Sequence, residues 1–93
     1  MRNIQILPSF ERSTKRLSKQ DKEKLKISLK QFSIFLSTGV LPKGLGLKKI
    51  NRNKYEIRID IRLRLVMKLE KDILYLILVG NHNDIKRYLR EHR

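Results

Sequence analysis

The strongest constraint on the fold is an alternating run of residues between Tyr55 and Leu69. Every odd-numbered residue in this run is apolar, and every even-numbered residue except Val66 is charged. An alternation with a period of two predicts β-structure with one buried face and one face in water. The run is longer than an ordinary strand, so it must contain a turn, and residues 60–62 are the expected position.

A three-residue loop at residues 60–62 places Arg58 directly opposite Arg64 on the neighbouring strand. Like charges that face each other destabilise a sheet unless an anion lies between them. The pair therefore indicates an anion-binding site. The alternative interpretation is that Glu56 and Asp60 flank Arg58 in ordinary surface ion pairs, which contribute little to stability.

The net charge indicates the class of partner. The chain has 23 Lys and Arg against 9 Asp and Glu, which gives +14 at pH 7. A charge of this size on so small a domain favours polyanions, and we rank nucleic acid first and an acidic protein second. Self-repulsion at this charge disfavours the compact state, so an acidic partner that neutralises part of it is expected.

Several classes of site lack the residues they require. There is no cysteine, which excludes disulfides and cysteine-based zinc or redox sites. Only His82 and His92 are available as histidine ligands, and no H-E-x-x-H, P-loop or EF-hand pattern occurs. The longest apolar run, residues 73–79, is too short to cross a bilayer. We therefore expect a soluble, cytoplasmic protein without a metal or a cofactor.

The N-terminal half predicts one strand and two helices. Residues 3–7 have strand spacing, and Pro8 should end the strand because it cannot donate to a ladder. Ser9 is the predicted N-cap of a short helix, and Ser18 that of a longer one which ends at Gly39. The apolar stripe of the longer helix, which should pack on the sheet, consists of Leu25, Leu29, Phe32 and Leu36.

The C-terminal half completes the predicted sheet. Residues 47–50 form a short strand, and residues 73–79, apolar on both faces, belong in the centre of the sheet. Asn83 or Asp84 should cap a last helix whose inner edge includes Ile85. The expected fold is α+β with helices on one sheet face. It has a four- to five-stranded antiparallel sheet, mixed at the N-terminal strand, an N-terminal helical hairpin and a short C-terminal helix.

Candidate functional residues gather at one end of this sheet. His82 directly follows a strand that should neighbour the strand of Arg64, and either Lys48 or Lys49 must share the face of Arg64. Phosphoryl transfer on RNA requires a cation for the charged phosphorane and a group that moves protons, tasks that suit arginine and histidine. From its spacing alone, His82 is also open to a structural interpretation, as a loop residue that bonds a helix terminus.

The sequence resembles the RelE/ParE superfamily of small bacterial and archaeal toxins, in its RelE-like branch of type II toxin–antitoxin systems. The resemblance rests on the order and spacing of "LKKI", "YEIRID", "LRLVMKLE" and "LYLILVGNHNDI". It covers nearly the whole chain and implies that residues 1–93 form a single toxin domain. It also implies a metal-independent endoribonuclease that cuts mRNA, often on the ribosome, and that an acidic antitoxin inhibits.

The resemblance assigns roles to individual positions. Arg64 matches the strand arginine that stabilises the phosphate, and Arg58 matches a basic residue on the neighbouring strand. His82 stands where some members have a histidine that acts as a general acid, and Tyr88 falls where a C-terminal tyrosine contributes to catalysis. The residues expected to bind RNA are Lys48, Lys49, Arg62 and Lys68.

Two departures from the family pattern leave alternatives open. Glu56 occupies a position that is basic in the founding member, so it is either the general base or a brace for Arg58. Tyr88 is either catalytic or buried beside Ile85 and Leu89. The superfamily also contains members that poison DNA gyrase, so the alternative functions are a toxin that acts by protein binding and a non-toxic basic RNA-binding protein.

Overall fold

The computed structural model describes residues 3–92, which form five strands and three helices. In chain order these are β1 (Asn3–Ile6), α1 (Pro8–Lys15), α2 (Lys19–Thr38), β2 (Gly46–Lys49), β3 (Lys54–Arg58), β4 (Arg64–Glu70), β5 (Ile73–Gly80) and α3 (His82–Glu91).

The strands form one sheet in the order β1-β5-β4-β3-β2. β1 runs parallel to β5, and the other neighbours are antiparallel. The predicted α+β fold with a sheet mixed at its N-terminal strand is therefore confirmed. β5 lies between β1 and β4, as its apolar run predicts, and it is buried on both sides because Leu76 and Ile77 belong to two different hydrophobic clusters.

The β3–β4 hairpin has the predicted loop length and register. The backbone N–H of Ile59 donates to the carbonyl of Leu63 at 2.9 Å, and Arg58 lies opposite Arg64. The Asp60 carboxylate accepts hydrogen bonds from two backbone N–H groups of the loop, at 2.8 and 2.7 Å. An aspartate that bonds the backbone shortly after itself stabilises such a turn, so the loop holds the hairpin in one register.

The long helix α2 begins and ends where its sequence predicts. The hydroxyl of Ser18 accepts a hydrogen bond from the Asp21 N–H at 3.1 Å, and Gly39 ends the helix with a φ of 75°. Glycine adopts this left-handed conformation without a steric penalty. Phe32 of α2 and Leu65 of β4 belong to the same buried cluster, which places α2 on one face of the sheet.

The start of α1 differs from the prediction. The helix begins at Pro8 with Leu7 as its N-cap, and Leu7 makes no side-chain capping bond. Proline suits the first helical position because its φ is already helical and it has no N–H to satisfy. The Ser9 hydroxyl is therefore not the cap, and it donates instead to the Ile77 carbonyl at 2.6 Å.

The C-terminal helix α3 covers the sheet face opposite to α2. Ile85 is buried in a cluster with Val66 and Ile77, which lie on that second face. The prediction of helices on one sheet face is correct for the N-terminal helical hairpin, since Phe10 of α1 and Phe32 of α2 belong to one cluster. It is wrong for α3, because the second face of β4 and β5 is also apolar and requires a cover. None of the described helices is long and apolar enough to cross a membrane.

Asn81 caps α3, one turn earlier than the predicted caps. Its side chain accepts from the Asp84 N–H at 2.9 Å, and the Asp84 carboxylate accepts from the Asn81 N–H at 3.0 Å. This reciprocal capping box satisfies two backbone donors. Neither Asn83 nor Asp84 is the N-cap, and His82 becomes the first helical residue.

Candidate functional site

The arginine pair forms the middle of a row that crosses three strand pairings. Gly46 lies opposite Arg58, Arg58 opposite Arg64, and Arg64 opposite Gly80. Residues directly opposite each other share a sheet face. The two glycines carry no side chains, and the Asp84 carboxylate occupies the space beside Gly80, where a Cβ would lie 2.7 Å from its Oδ2. We call these four residues the arginine row.

A buried carboxylate fixes one arginine of the row. Glu56 is 9% exposed, and its Oε2 accepts from a terminal nitrogen of Arg64 at 3.1 Å. The Nε of Arg64 is buried and has no acceptor within residues 3–92. Native proteins have few buried donors of this kind, and each invites a functional explanation.

One interpretation of the sequence placed Glu56 and Asp60 beside Arg58 in surface ion pairs. This interpretation is wrong. Glu56 pairs with Arg64, and Asp60 pairs with Lys24 at 2.9 Å. Arg58 is exposed, and none of the ion pairs in the described part of the chain includes it. The interpretation of Glu56 as a brace for Arg58 is also wrong, because the brace holds Arg64. The row therefore combines one fixed guanidinium with one that is available to an anion.

Two of the four lysines and arginines predicted to bind RNA share the face of the arginine row. Lys48 lies opposite Glu56 on that face and is exposed. Lys68 lies two residues beyond Val66 on β4 and so shares its face, with its amino group 4.8 Å from the centre of the Tyr75 ring. Such a cation–π contact orients a lysine without neutralising it.

The other two predicted RNA-binding residues lie elsewhere. Lys49 pairs with Tyr55, whose ring packs against the core on the α2 side of the sheet. Arg62 extends from the hairpin loop to α2, where its guanidinium lies 3.1 Å from the carboxylate of Asp21. Neither residue belongs to the face that carries the arginine row.

His82 starts α3 at the end of the arginine row. It is exposed and follows Gly80, the cross-strand partner of Arg64, by two residues. Its side chain makes no hydrogen bond to any residue that the structure describes. The structural interpretation of His82 as the residue that bonds the helix terminus is wrong, because Asn81 has that function. The imidazole is therefore available to a ligand.

Tyr88 is partly buried beside Ile85 and Leu89, and burial raises the pKa of its hydroxyl. Its ring stacks on that of His92, with 4.2 Å between ring centres. It shares no hydrogen bond with Arg64 among the described residues. Tyr88 also lines a groove of about 490 Å³ between α1, α3 and the end of the β3–β4 loop.

Four arginines line this groove: Arg12, Arg16, Arg62 and Arg87. The sequence analysis singled out only Arg62 and missed the other three. Arg12 and Arg16 are four residues apart, so they lie on one face of α1. That spacing was visible in the sequence, but the position of α1 beside β5 was not.

The arrangement suits recognition of a phosphate chain. Guanidinium groups bind phosphate oxygens through two parallel hydrogen bonds, and the arginine row presents two of them beside the exposed imidazole of His82. No three His, Cys, Asp or Glu side chains of residues 3–92 are grouped so as to hold a metal ion.

Solved structures with this fold were found by comparison. No protein-family model matches the sequence, and no curated protein matches it significantly. A mutant of YafQ from E. coli superimposes with a TM-score of 0.73 at 16% identity, over 91% of this chain and 98% of that one. RelE in the RelB–RelE antitoxin–toxin complex from Methanococcus jannaschii gives 0.68 at 19% identity, over 90% and 96%.

A third structure extends the same similarity. The YoeB dimer from Staphylococcus aureus gives a TM-score of 0.64 at 20% identity, over 86% of this chain and 95% of that one. All three similarities cover most of this chain and nearly the full length of the other chains. The chain therefore has the RelE-like fold shared by YafQ, RelE and YoeB.

Proposed function

We propose that the protein is the toxin of a type II toxin–antitoxin system, a single domain of residues 1–93 that acts in the cytoplasm. It cleaves mRNA without a metal and so inhibits translation. The fold it shares with RelE, YafQ and YoeB supports this proposal. The observation that carries the proposal is the arginine row, with Arg64 fixed by Glu56 and His82 at its end.

In the proposed reaction the two arginines stabilise the charged phosphorane. Arg58 and Arg64 face each other across one strand pairing, so a phosphate above the sheet is within reach of both side chains. Their mutual repulsion is relieved when an anion lies between them. The attraction grows as negative charge develops on the phosphorane oxygens, and this difference between ground and transition state accelerates the reaction.

Proton transfers accompany the attack. The ribose 2′-oxygen bonds to the adjacent phosphorus as its proton passes to a base, and the bond from phosphorus to the next 5′-oxygen breaks. His82 gives a proton to that 5′-oxygen, which leaves a 2′,3′-cyclic phosphate and a 5′-hydroxyl. Glu56 has two candidate roles, as the base that takes the 2′-proton and as the anchor of Arg64.

The remaining residues of this face bind the flanking phosphates. Lys48 and Lys68 share the face of the arginine row, and lysine binds phosphate as a point charge. Lys49 and Arg62 are left out of the proposed RNA site, because one lies on the other sheet face and the other pairs with Asp21. Tyr88 is left out of the chemistry because its side chain forms no hydrogen bond with Arg58 or Arg64 among residues 3–92.

The proposed inhibitor is an acidic antitoxin protein. The chain carries a charge of +14, and a protein of opposite charge that covers the arginine row neutralises it and blocks RNA. The structurally similar RelE was crystallised with the antitoxin RelB, which supports a partner of this kind.

The test is mRNA cleavage in a translating extract. We expect Arg64→Ala and His82→Ala each to slow cleavage by about 10²-fold or more, since loss of one oxyanion donor or one general acid has effects of this size. Lys30→Ala is the matched control: it removes one positive charge from the exposed side of α2, and cleavage should stay within about threefold of wild type.

Two other results would replace this proposal. Intact mRNA with wild-type protein, together with growth arrest that persists in His82→Ala, indicates a toxin that acts by protein binding. Tight, salt-sensitive RNA binding without growth arrest or cleavage indicates a non-toxic RNA-binding protein.

A further inference from the structure

The groove between α1 and α3 has a rigid wall. β1 ends where the Leu7 N–H donates to the Leu76 carbonyl at 3.1 Å. Beyond that point two serines of α1 replace the missing strand: the Ser9 hydroxyl donates to the Ile77 carbonyl at 2.6 Å, and the Ser13 hydroxyl accepts from the Val79 N–H at 3.1 Å. These bonds hold α1 against the edge of β5, so the groove keeps its shape without a ligand.

Two of the arginines in the groove are already paired. Arg62 lies 3.1 Å from Asp21, and Arg87 lies 2.7 Å from Asp84. The Asp84 carboxylate also accepts the hydrogen bond from the α3 N-cap. These two pairs belong to the structure of the walls and leave little charge for a ligand.

The other two arginines have no such partners. Arg12 and Arg16 are exposed, line the groove one helical turn apart, and take part in no ion pair among residues 3–92. The remaining carboxylate of the groove is Glu91, one acid for two arginines. Like charges at this spacing repel each other along the helix, and a bound anion removes that repulsion.

Tyr88 gives the groove an aromatic wall. Burial raises the pKa of its hydroxyl, so the ring stays neutral at physiological pH. One face of the ring is already stacked on His92. Aromatic rings that flank basic grooves contact the bases of single-stranded nucleic acids, and here the part of the ring that lines the groove is left for that contact. The volume of about 490 Å³ lies within the range of small-ligand sites.

The groove meets the arginine row at one shared residue, Gly80. Gly80 and Leu63 line it; Gly80 is the cross-strand partner of Arg64, and Leu63 precedes Arg64 in the chain. We infer that the groove binds one nucleotide of the RNA beside the phosphate held by the arginine row. Arg12 and Arg16 contact its phosphate, and Tyr88 contacts its base. This inference rests on the proposed nuclease function, whose substrate it extends.

The test uses a short RNA that binds without being cut. We would measure affinities of the full chain for fully 2′-O-methylated oligonucleotides of three to seven residues by fluorescence anisotropy, over a series of salt concentrations. The test variant is the double substitution Arg12→Ala and Arg16→Ala. The matched control is Lys15→Ala with Lys19→Ala, which removes the same charge from exposed positions that do not line the groove.

We expect the groove variant to bind the seven-residue RNA about tenfold or more weakly, with the slope of log affinity against log salt reduced by about 0.7 per lost phosphate contact. The control should change affinity by less than about threefold. For wild type, affinity should rise in one step as the RNA becomes long enough to enter the groove. That step should be missing in the groove variant, and in cleavage assays KM should rise while kcat stays within about threefold.

Equal losses in both double variants would overturn the inference, because they show a response to net charge alone. The inference would also be overturned if the groove variant kept its RNA affinity but bound an acidic partner protein more weakly, since the groove is then a protein-docking site. The methylated RNA lacks the 2′-hydroxyl nucleophile, so binding is measured independently of cleavage. A protein that binds through the groove but cuts no RNA would disprove the nuclease function and retain the inference.

Discussion

Arg62 and Arg64, two residues apart at the hairpin, form ion pairs of equal length in different surroundings. A guanidinium nitrogen of Arg62 lies 3.1 Å from the Asp21 carboxylate, and one of Arg64 lies 3.1 Å from the Glu56 carboxylate. The side chains of both acids, taken without their backbone atoms, are 11% exposed. The arginines differ: the side chain of Arg62 is 61% exposed and that of Arg64 is 23% exposed. The same chemical contact therefore serves two sites with different electrostatics.

The neighbouring groups indicate that the Arg62–Asp21 pair is structural and that the Arg64–Glu56 pair belongs to the candidate site. The Arg62–Asp21 pair connects the hairpin loop to the first turn of α2, where a carboxylate also interacts well with the helix dipole. The Arg64–Glu56 pair lies within one hairpin, beside the like charge of Arg58, and leaves a buried Nε without an acceptor. The second arrangement reduces stability, which is common where a site is built for a ligand.

Replacement of the two carboxylates is the strongest test of this difference. Glu56→Ala releases the Arg64 guanidinium from its anchor, and we expect cleavage to slow by about 10²-fold, because small displacements of a catalytic group have effects of that size. Asp21→Ala should leave cleavage within about threefold. Rates are measured with a defined mRNA in a translating extract, at a temperature where both variants are folded by circular dichroism.

Glu56→Gln then separates the two roles of Glu56. Glutamine still accepts a hydrogen bond from Arg64 but cannot take a proton. If Glu56→Gln lowers the cleavage rate by less than about tenfold, Glu56 is an anchor. If it lowers the rate as much as Glu56→Ala does, Glu56 is the base. Wild-type cleavage by Glu56→Ala would contradict the comparison itself.

The free energy of unfolding should depend more on Arg62 than on Arg64, the opposite of the order expected for cleavage. Arg62→Ala leaves the Asp21 carboxylate, which is nearly buried, without its partner, and should lower the free energy of unfolding by about 1–2 kcal/mol. Arg64→Ala should lower it by less than about 1 kcal/mol. In that variant Lys48 still lies opposite Glu56, and the repulsion between the two arginines of the row is gone. Urea unfolding gives both values, and a larger loss for Arg64→Ala would contradict the structural interpretation of Arg62.

Local patterns in the sequence were sufficient for most of the fold. The alternation between Tyr55 and Leu69 with a loop of three residues determined the register of Arg58 and Arg64, and Ser18 and Gly39 bounded α2 as predicted. These features depend on near neighbours in the chain. Their physical causes, pleat periodicity and helix capping, can therefore be recognised before the fold is known.

Contacts between distant residues were not predictable in this way. The bond from Ser9 to Ile77 joins residues 68 apart, and the pair of Arg62 with Asp21 joins residues 41 apart. Ser9 was predicted as a cap because its position before a helix is typical of one, and the edge of β5 supplied a stronger partner. The groove was missed for the same reason, since it depends on α1 replacing the end of β1.

The smallest predicted effect concerns the loop between the two arginines. Hydrogen bonding to the Lys24 amino group, with smaller contributions from the backbone N–H groups of Leu63 and Arg62, lowers the pKa of Asp60 from 3.8 to about 2. Because the folded state lowers this pKa, Asp60 contributes stability above pH 4. That contribution is lost as the pH falls toward 2.

Thermal unfolding between pH 6 and pH 2.5 measures this contribution. Asp60→Asn keeps an acceptor for the loop N–H groups but does not titrate, so its melting temperature should fall less on acidification than that of wild type. The difference should be at most about 4 °C, because the pair with Lys24 is near the surface. Glu23→Gln is the matched control, since Glu23 is exposed and lies 3.7 Å from Lys26; it should follow wild type. If Asp60→Asn and wild type lose the same stability in acid, the Asp60 carboxylate does not hold the loop, and the different positions of Arg62 and Arg64 depend on the strand register alone.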